Sequence, residues 1–250
     1  RSKALEDIKQ EITCLAQKGY KEVVLVGINL SAYGQDLGLN LADAIEAACS
    51  VEGICRVRLG SLEPERMDET TIARLSSQKK LCPQFHLSLQ SGCDATLRRM
   101  NRHYNVQEYF TIVQNLRHAF INSAITTDIM VGFPGETQKE FEQSCGFVKK
   151  VGFAKAHVFS YSRRPGTVAD QAPGQVEASV REQRAKIMLQ LTQQARQTFL
   201  STQMGRCEEV LFETCDHGGN CQGYTKNYTP VLVPCANDLS GRLQTVKLTD

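Results

Sequence analysis

Several absences narrow this 250-residue chain before any motif is read. None of its ten cysteines belongs to a C-x-x-C pair, which excludes the usual structural-zinc and dithiol spacings. No apolar run approaches the length of a membrane span, and no signal peptide precedes the first helical pattern, so a cytoplasmic location and no membrane partner are expected. A strong charge of one sign is missing too. At a net +2, any nucleic-acid surface must be local rather than global. Internal repeats and low-complexity segments are absent. What remains, 41% hydrophobic and 22% charged, is an ordinary globular composition with enough length for one large core, or a barrel with a small appendage.

Most of the cysteines stand singly inside helix or strand patterns, where a thiol acts as a small apolar group, and ten thiols without a framework suit a reducing compartment. Cys215 and Cys221 flank Asp-His-Gly-Gly-Asn, and with His217 they loosely suggest a metal loop. The spacing is wrong for structural zinc, and a β-hairpin turn with two incidental thiols is the expectation.

Strand and helix patterns alternate from the start. Helices are expected over residues 5–16, 41–49, 68–77, 105–120 and 138–151, and strands over 21–27, 55–60, 85–89, 124–131 and 154–161. The strand at 21–27 reads as continuous and apolar. Such alternation indicates a parallel sheet or a βα barrel. The chain opens on a helix, so the strand that should precede it is missing, and truncation is the favoured explanation. After Tyr161 an irregular segment rich in Arg, Pro and Gly leads to a long charged helix over 176–204, whose Arg181, Arg184, Lys186 and Arg196 read as a solvated face. From Arg206 onward short strands at 208–212, 223–224, 230–233 and 243–248 have the texture of a small β-barrel. Domains over 1–204 and 205–250 follow.

The segment from Ala124 to Thr137 is the most informative. A β-branched run carries one charge, Asp128, then ends on Gly132-Phe-Pro-Gly135, and Thr137 or Glu136 caps the next helix. A tight turn after a parallel strand lies where α/β folds bind ligands. Asp128 reads either as a carboxylate satisfied by backbone or as a ligand contact. The other strands are followed by Gly27–Gly34, by Ser61-Leu-Glu63-Pro64, by Gln90-Ser-Gly92 with Arg98–Tyr104 beyond, and by Ser160–Thr167. Any one polar loop is weak evidence of function; five in register carry more.

The ordered set Ser-Leu-Glu-Pro, Leu-Ser-Leu-Gln-Ser-Gly, Arg-Arg-Met-Asn-Arg-His-Tyr, Asp-Ile-Met-Val-Gly-Phe-Pro-Gly-Glu-Thr and Tyr-Ser-Arg-Arg-Pro-Gly-Thr resembles the methylthiotransferase branch of the radical S-adenosylmethionine enzymes. The C-terminal Arg206–Glu213 and Gly223–Pro234 stretches resemble the RNA-binding TRAM domain of that family. Gly27–Gly34 and the TRAM segment look most like the bacterial branch acting on N6-threonylcarbamoyladenosine in tRNA, ahead of the isopentenyladenosine and ribosomal-protein branches. The resemblance implies a partial TIM-type (βα) barrel, lacking its first strand and cluster loop, followed by a small all-β TRAM barrel. It also implies S-adenosylmethionine and two [4Fe–4S] clusters as cofactors, and methylthiolation at C2 of adenosine 37. The implied partners are the tRNA anticodon region and an electron donor such as flavodoxin or ferredoxin.

The same resemblance assigns Glu63, Gln90, Arg102 and Asp128 to the methionine end and ribose of the cofactor, with Gly132, Pro134 and Gly135 approaching its adenine. The chemistry agrees, since a zwitterionic amino acid needs a cation and acceptors, and a ribose diol suits a carboxylate. A solvated helix end for Arg102, and a helix cap before Pro64 for Glu63, stand beside those roles. Arg163, Arg164, Arg206, Tyr224, Lys226 and Tyr228 combine charge with stacking surface as RNA contacts. One departure is decisive. The family's C-x-x-x-C-x-x-C loop is absent, and no cysteine here has the spacing to replace it, so the chain is expected to hold no cluster and to be inactive alone. A non-catalytic RNA-binding remnant is the alternative to a fragment of an enzyme.

Overall fold

The computed structural model describes residues 1–250 apart from His217, Ala236 and Asp250. In chain order the elements are α1 (Leu5–Gln17), β1 (Glu22–Leu25), α2 (Leu41–Ser50), β2 (Arg56–Leu59), β3 (Ser61–Leu62), α3 (Glu69–Ser76), β4 (Gln84–Leu87), α4 (Asp94–Arg99) and α5 (Val106–Ala119). There follow β5 (Ala124–Val131), α6 (Gln138–Val151), β6 (Lys155–Ser160), α7 (Val168–Gln171), α8 (Ala178–Ser201), β7 (Cys207–Cys215), β8 (Asn220–Thr225), β9 (Pro230–Pro234) and β10 (Leu243–Lys247). Two compact units result. The first holds Arg1–His86, Asn115–Ala124 and Thr202–Asp250; the second holds Leu87–Gln114 and Ile125–Ser201.

In the first unit β1 and β2 pair in parallel, Glu22 opposite Arg56 and Leu25 opposite Leu59, and Leu81 extends the ladder by bridging Val57. Helix α2 buries Ala42, Ile45 and Ala48, and starts on a capping box in which Asn40 and Asp43 satisfy each other's backbone N–H groups. The apolar strand expected over 21–27 is shorter, and its Val24 and Val26 are exposed. Among the described residues β1 pairs with β2 alone, and Val24 on its outer face is exposed.

All four residues of β2, Arg-Val-Arg-Leu, are buried, an unusual place for two arginines. The C-terminal strands explain them. These form an antiparallel sheet in the order β10-β7-β8-β9, with Val210, Phe212 and Cys221 at its core. Arg56 donates to the carbonyls of Tyr224 (2.9 Å) and Glu209 (2.5 Å), and pairs with the Glu209 carboxylate at 3.2 Å. Arg58 donates to Glu22 (2.8 Å) and to the carbonyl of Lys226 (3.1 Å). A second polar knot reinforces this contact. Asn122 and Gln203 exchange amide hydrogen bonds at 2.9 and 3.0 Å, and Asn227 donates to Gln203 Oε1 at 3.0 Å. Every buried amide here has partners, as a low-dielectric site requires.

Cys215 and Cys221 correct the reading as two incidental thiols. They are register partners on β7 and β8, their Cα atoms 4.0 Å apart, and their sulfurs are bonded as a disulfide. The metal loop suggested with His217 falls on a residue outside the described ones. The other cysteines are free; Cys49, Cys82 and Cys93 are buried, while Cys14 and Cys207 are exposed.

In the second unit β5 and β6 pair in parallel, Thr126 opposite Lys155 and Val131 opposite Ser160. The ring of Tyr109 packs edge-on against Phe147 and Phe153 at 6.1 and 6.3 Å, and its hydroxyl donates to Leu87 O at 2.9 Å. A buried tyrosine thus serves both the apolar core and a backbone acceptor. The short helices α4 and α7 were not expected from the sequence; they are too brief to show a 3.6-residue period.

Candidate functional site

The carboxyl end of β5 organises the second unit. Gln90 N–H donates to Asp128 O at 2.9 Å and Met130 N–H donates to Gln90 O at 2.8 Å, so Gln90 and Asp128 sit side by side on adjoining backbone. Gln90 has φ +64°, a left-handed conformation that glycine and asparagine adopt far more readily. Backbone held in such a region marks a position determined by its surroundings, commonly a functional one. Asp128 is half-buried, not enclosed. Arg102, also half-buried, follows the end of α4 and hydrogen-bonds through its N–H to Leu97 O at 3.0 Å.

Beyond Val131 the chain turns through Gly132 (φ +73°) and Gly135 (φ +77°), conformations that exclude most side chains. The Gly132 N–H donates to Glu136 Oε2 at 2.9 Å, and the Gly135 N–H to Gly174 O at 2.8 Å. A Cβ at Gly132 would lie 2.4 Å from Arg181 Cγ, and one at Gly135 would lie 3.2 Å from Arg99 Cδ. The protein's own arginine stems therefore occupy the space the missing side chains leave. Thr137, not Glu136, caps α6, forming a capping box with Glu140. Glu136 turns inward instead to Arg184 Nη1 at 3.0 Å, with 4% and 7% of the two side chains exposed. Burial pushes the Glu136 carboxyl above its ordinary range, opposed by Arg184 and the Gly132 N–H.

Arg184 and Arg181 overturn the solvated-face reading of α8. Arg184 is buried, and Arg181 Nη1 donates to Tyr161 O at 2.7 Å. Their i, i+3 spacing was the available signal. Tyr161 was also missed as a site residue. Its ring meets Phe133 edge-on at 5.4 Å, its N–H donates to Val131 O at 2.8 Å, and its buried hydroxyl has no hydrogen-bond partner.

Glu63 belongs to the first unit. It precedes a 3-10 turn starting at Pro64, makes no capping bond, and donates its N–H to Ser31 Oγ at 2.8 Å. Of the expected RNA contacts in that unit, Tyr224 and Tyr228 stack on each other at 4.5 Å and 12°, and the Arg58 guanidinium lies 4.5 Å over the Tyr228 ring. Tyr228 has φ +66° and, although it packs against both groups, remains exposed. Lys226 is half-buried and Arg206 exposed. In the second unit Arg163 and Arg164 are exposed; Arg163 is held by Asp170 Oδ1 at 2.8 Å.

The Radical SAM superfamily matches residues 1–148. The chain belongs to that superfamily. Within it, the chain is similar to tRNA methylthiotransferases. It is 37% identical over 228 residues to the threonylcarbamoyladenosine tRNA methylthiotransferase MtaB of Thermotoga maritima, covering 91% of this chain and 52% of that one. It is 36% identical over 253 residues to the tRNA-2-methylthio-N(6)-dimethylallyladenosine synthase of Caldicellulosiruptor saccharolyticus, covering 100% of this chain and 54% of that one. The chain thus spans about half the length of the curated relatives it matches. Among solved structures, the coproporphyrinogen III oxidase HemN of Escherichia coli, a radical SAM enzyme, superposes with a TM-score of 0.59 at 14% identity over 76% of this chain and 45% of that one. Methylornithine synthase superposes with a TM-score of 0.53 at 16% identity over 77% and 54% of the two chains. Those likenesses bear on fold alone, and they agree with the partial βα barrel that the family resemblance implies.

The residues present fit the superfamily's two implied groups differently. Toward S-adenosylmethionine, an orphaned polar atom beside the Gly132–Gly135 turn is the buried hydroxyl of Tyr161, whose ring meets Phe133 of that turn. Among the described residues, no group of three or more His, Cys, Asp or Glu is placed to hold a metal ion.

Proposed function

We propose that this chain is part of a tRNA methylthiotransferase that modifies C2 of N6-threonylcarbamoyladenosine at position 37, in the anticodon region. The observation that carries this reading is the 37% identity to the MtaB relative across 91% of the chain. The chemistry of the target supports it: an unactivated aromatic C–H is beyond a side-chain base and calls for a radical. S-adenosylmethionine, when bound and reduced, supplies that radical as 5′-deoxyadenosyl. The chain's own residues bind and orient. Gln90 and Asp128 are assigned to the ammonium and ribose diol, Arg102 to the carboxylate, and the turn Gly132–Gly135 with Pro134 to the adenine face. Phe133 and Tyr161 shield that turn from water. Residues 205–250 are assigned to RNA, through the cationic Arg206 and Lys226 and the exposed edge of the Tyr224–Tyr228 stack.

The test is nucleoside mass spectrometry of tRNA from cells lacking the gene that encodes this chain. Loss of 2-methylthio-N6-threonylcarbamoyladenosine, with the unmethylthiolated nucleoside accumulating, is expected. Loss of the 2-methylthio isopentenyl nucleoside instead would move the assignment to the branch represented by the 36%-identical synthase. No change in either refutes tRNA methylthiolation. Binding of the chain to an anticodon stem-loop, with an affinity that falls as salt rises, tests the RNA assignment separately.

A further inference from the structure

The turn at Gly132–Glu136 is held from behind by α8, and nothing in the binding roles above requires this. Arg184 Nη1 donates both to the Glu136 carbonyl at 2.9 Å and to its Oε1 at 3.0 Å, while the other carboxylate oxygen takes the Gly132 N–H at 2.9 Å. One carboxylate therefore joins the first residue of the turn to a helix more than forty residues on. Three residues before Arg184, Arg181 lays its stem against Gly132 and ties Tyr161 O at 2.7 Å, fixing the end of β6 beside the turn. The Arg184 guanidinium also lies 5.4 Å from the Phe141 ring on α6.

A buried ion pair is weak evidence for stability, because two apolar residues of similar volume commonly do as well or better. Its value lies in fixing one geometry. Here that geometry is the backbone of a turn with two positive-φ glycines, which left alone would sample several conformations. We propose that Arg184 is a positioning residue for nucleoside binding. Acting through Glu136, it holds the Gly132–Gly135 turn in its ligand-accepting shape, with Arg181 bracing the same turn from the adjacent position on α8. The inference rests on the reading of that turn as the adenine site.

The test separates positioning from stability. The double variant Arg184→Met/Glu136→Gln removes both charges, so it should unfold at nearly the wild-type urea concentration, whereas Arg184→Met alone strands a buried carboxylate and should be clearly less stable. Calorimetric titration then uses 5′-methylthioadenosine and S-adenosylhomocysteine as probes, neither of which requires a cluster. The double variant should bind both at least about tenfold more weakly than wild type, the usual size of a supporting-shell effect. Should the double variant not fold, Arg184→Lys keeps the charge but not the rigid fork, and should weaken binding at wild-type stability. Wild-type affinity in a folded variant overturns the positioning role while leaving the adenine site standing. No binding of either probe by the wild-type chain overturns the adenine site, and the positioning role with it.

Discussion

Replacing Arg56 with methionine is the sharpest test of how the C-terminal sheet is joined to β2. Methionine roughly preserves the stem's apolar volume, so the change isolates the guanidinium. In the native chain that group is fully buried, with the Tyr224 carbonyl at 2.9 Å, the Glu209 carbonyl at 2.5 Å, Glu209 Oε1 at 3.2 Å and Glu22 Oε2 at 3.7 Å. Removing one partner of a buried ion pair costs about 3–5 kcal/mol, and a buried acceptor that loses its donor costs about 1–3 kcal/mol. Two features reduce the sum. Glu22 keeps Arg58 at 2.8 Å, and the Glu209 side chain, 42% exposed, returns readily to water. A net loss of about 3 kcal/mol is expected, a large part of the roughly 5–15 kcal/mol that stabilises a typical domain. Urea denaturation should register it as a midpoint lower by about 1–2 M for a slope of about 2 kcal/mol/M. Glu209→Ala, which removes only a half-exposed carboxylate, should cost no more than about 1 kcal/mol. If Arg56→Met falls within about 1 kcal/mol of wild type, or if Glu209→Ala equals it, the backbone carbonyls are not what Arg56 serves.

Three further outcomes follow from local geometry. A Cβ at Gly223 would lie 2.3 Å from Leu211 O and 2.7 Å from Phe212 Cα, so Gly223→Ala must spread β7 from β8, and a loss of about 1–3 kcal/mol in denaturation is expected. Burial raises the Cys49 and Cys82 thiols to about 11; in native protein, mass-mapped alkylation at mildly alkaline pH should label exposed Cys14 and Cys207 and spare both buried thiols. Hydrogen bonding to Arg74 holds the Asp43 carboxyl below its ordinary range, so its contribution is present above the unfolded carboxyl pKa and lost as pH falls through the lowered folded one. Arg74→Met should therefore flatten the acid limb of a stability–pH curve, and an unchanged limb refutes that coupling.

Much of this fold was legible in the sequence because its signals are local. Strand β5 and helix α6 fall at Ala124–Val131 and Gln138–Val151 as their patterns predict, since a β-branched run, a Gly/Pro stop and a Thr–Glu capping box each act within a few residues. The same reasoning went wrong on α8, where a charged helix face looked solvated although Arg184 is buried. Charge alone does not reveal a partner forty-eight residues away. The disulfide escaped for a related reason: whether two cysteines bond depends on strand register, which a six-residue spacing leaves open.

The sequence by itself determined the alternating α/β architecture, the small β module after it, and the kinship carried by the strand-end motifs. Those properties follow from periodicity, turn chemistry and residue identity in order. Only the tertiary structure decided that the arginines of β2 are answered by carbonyls of the C-terminal strands, that Tyr228 packs against both Tyr224 and Arg58, and that a carboxylate from one loop locks a glycine turn to α8. Each of these depends on directions and distances between residues far apart in the chain, and a buried polar group takes its partner from whatever the packing brings within about 3 Å.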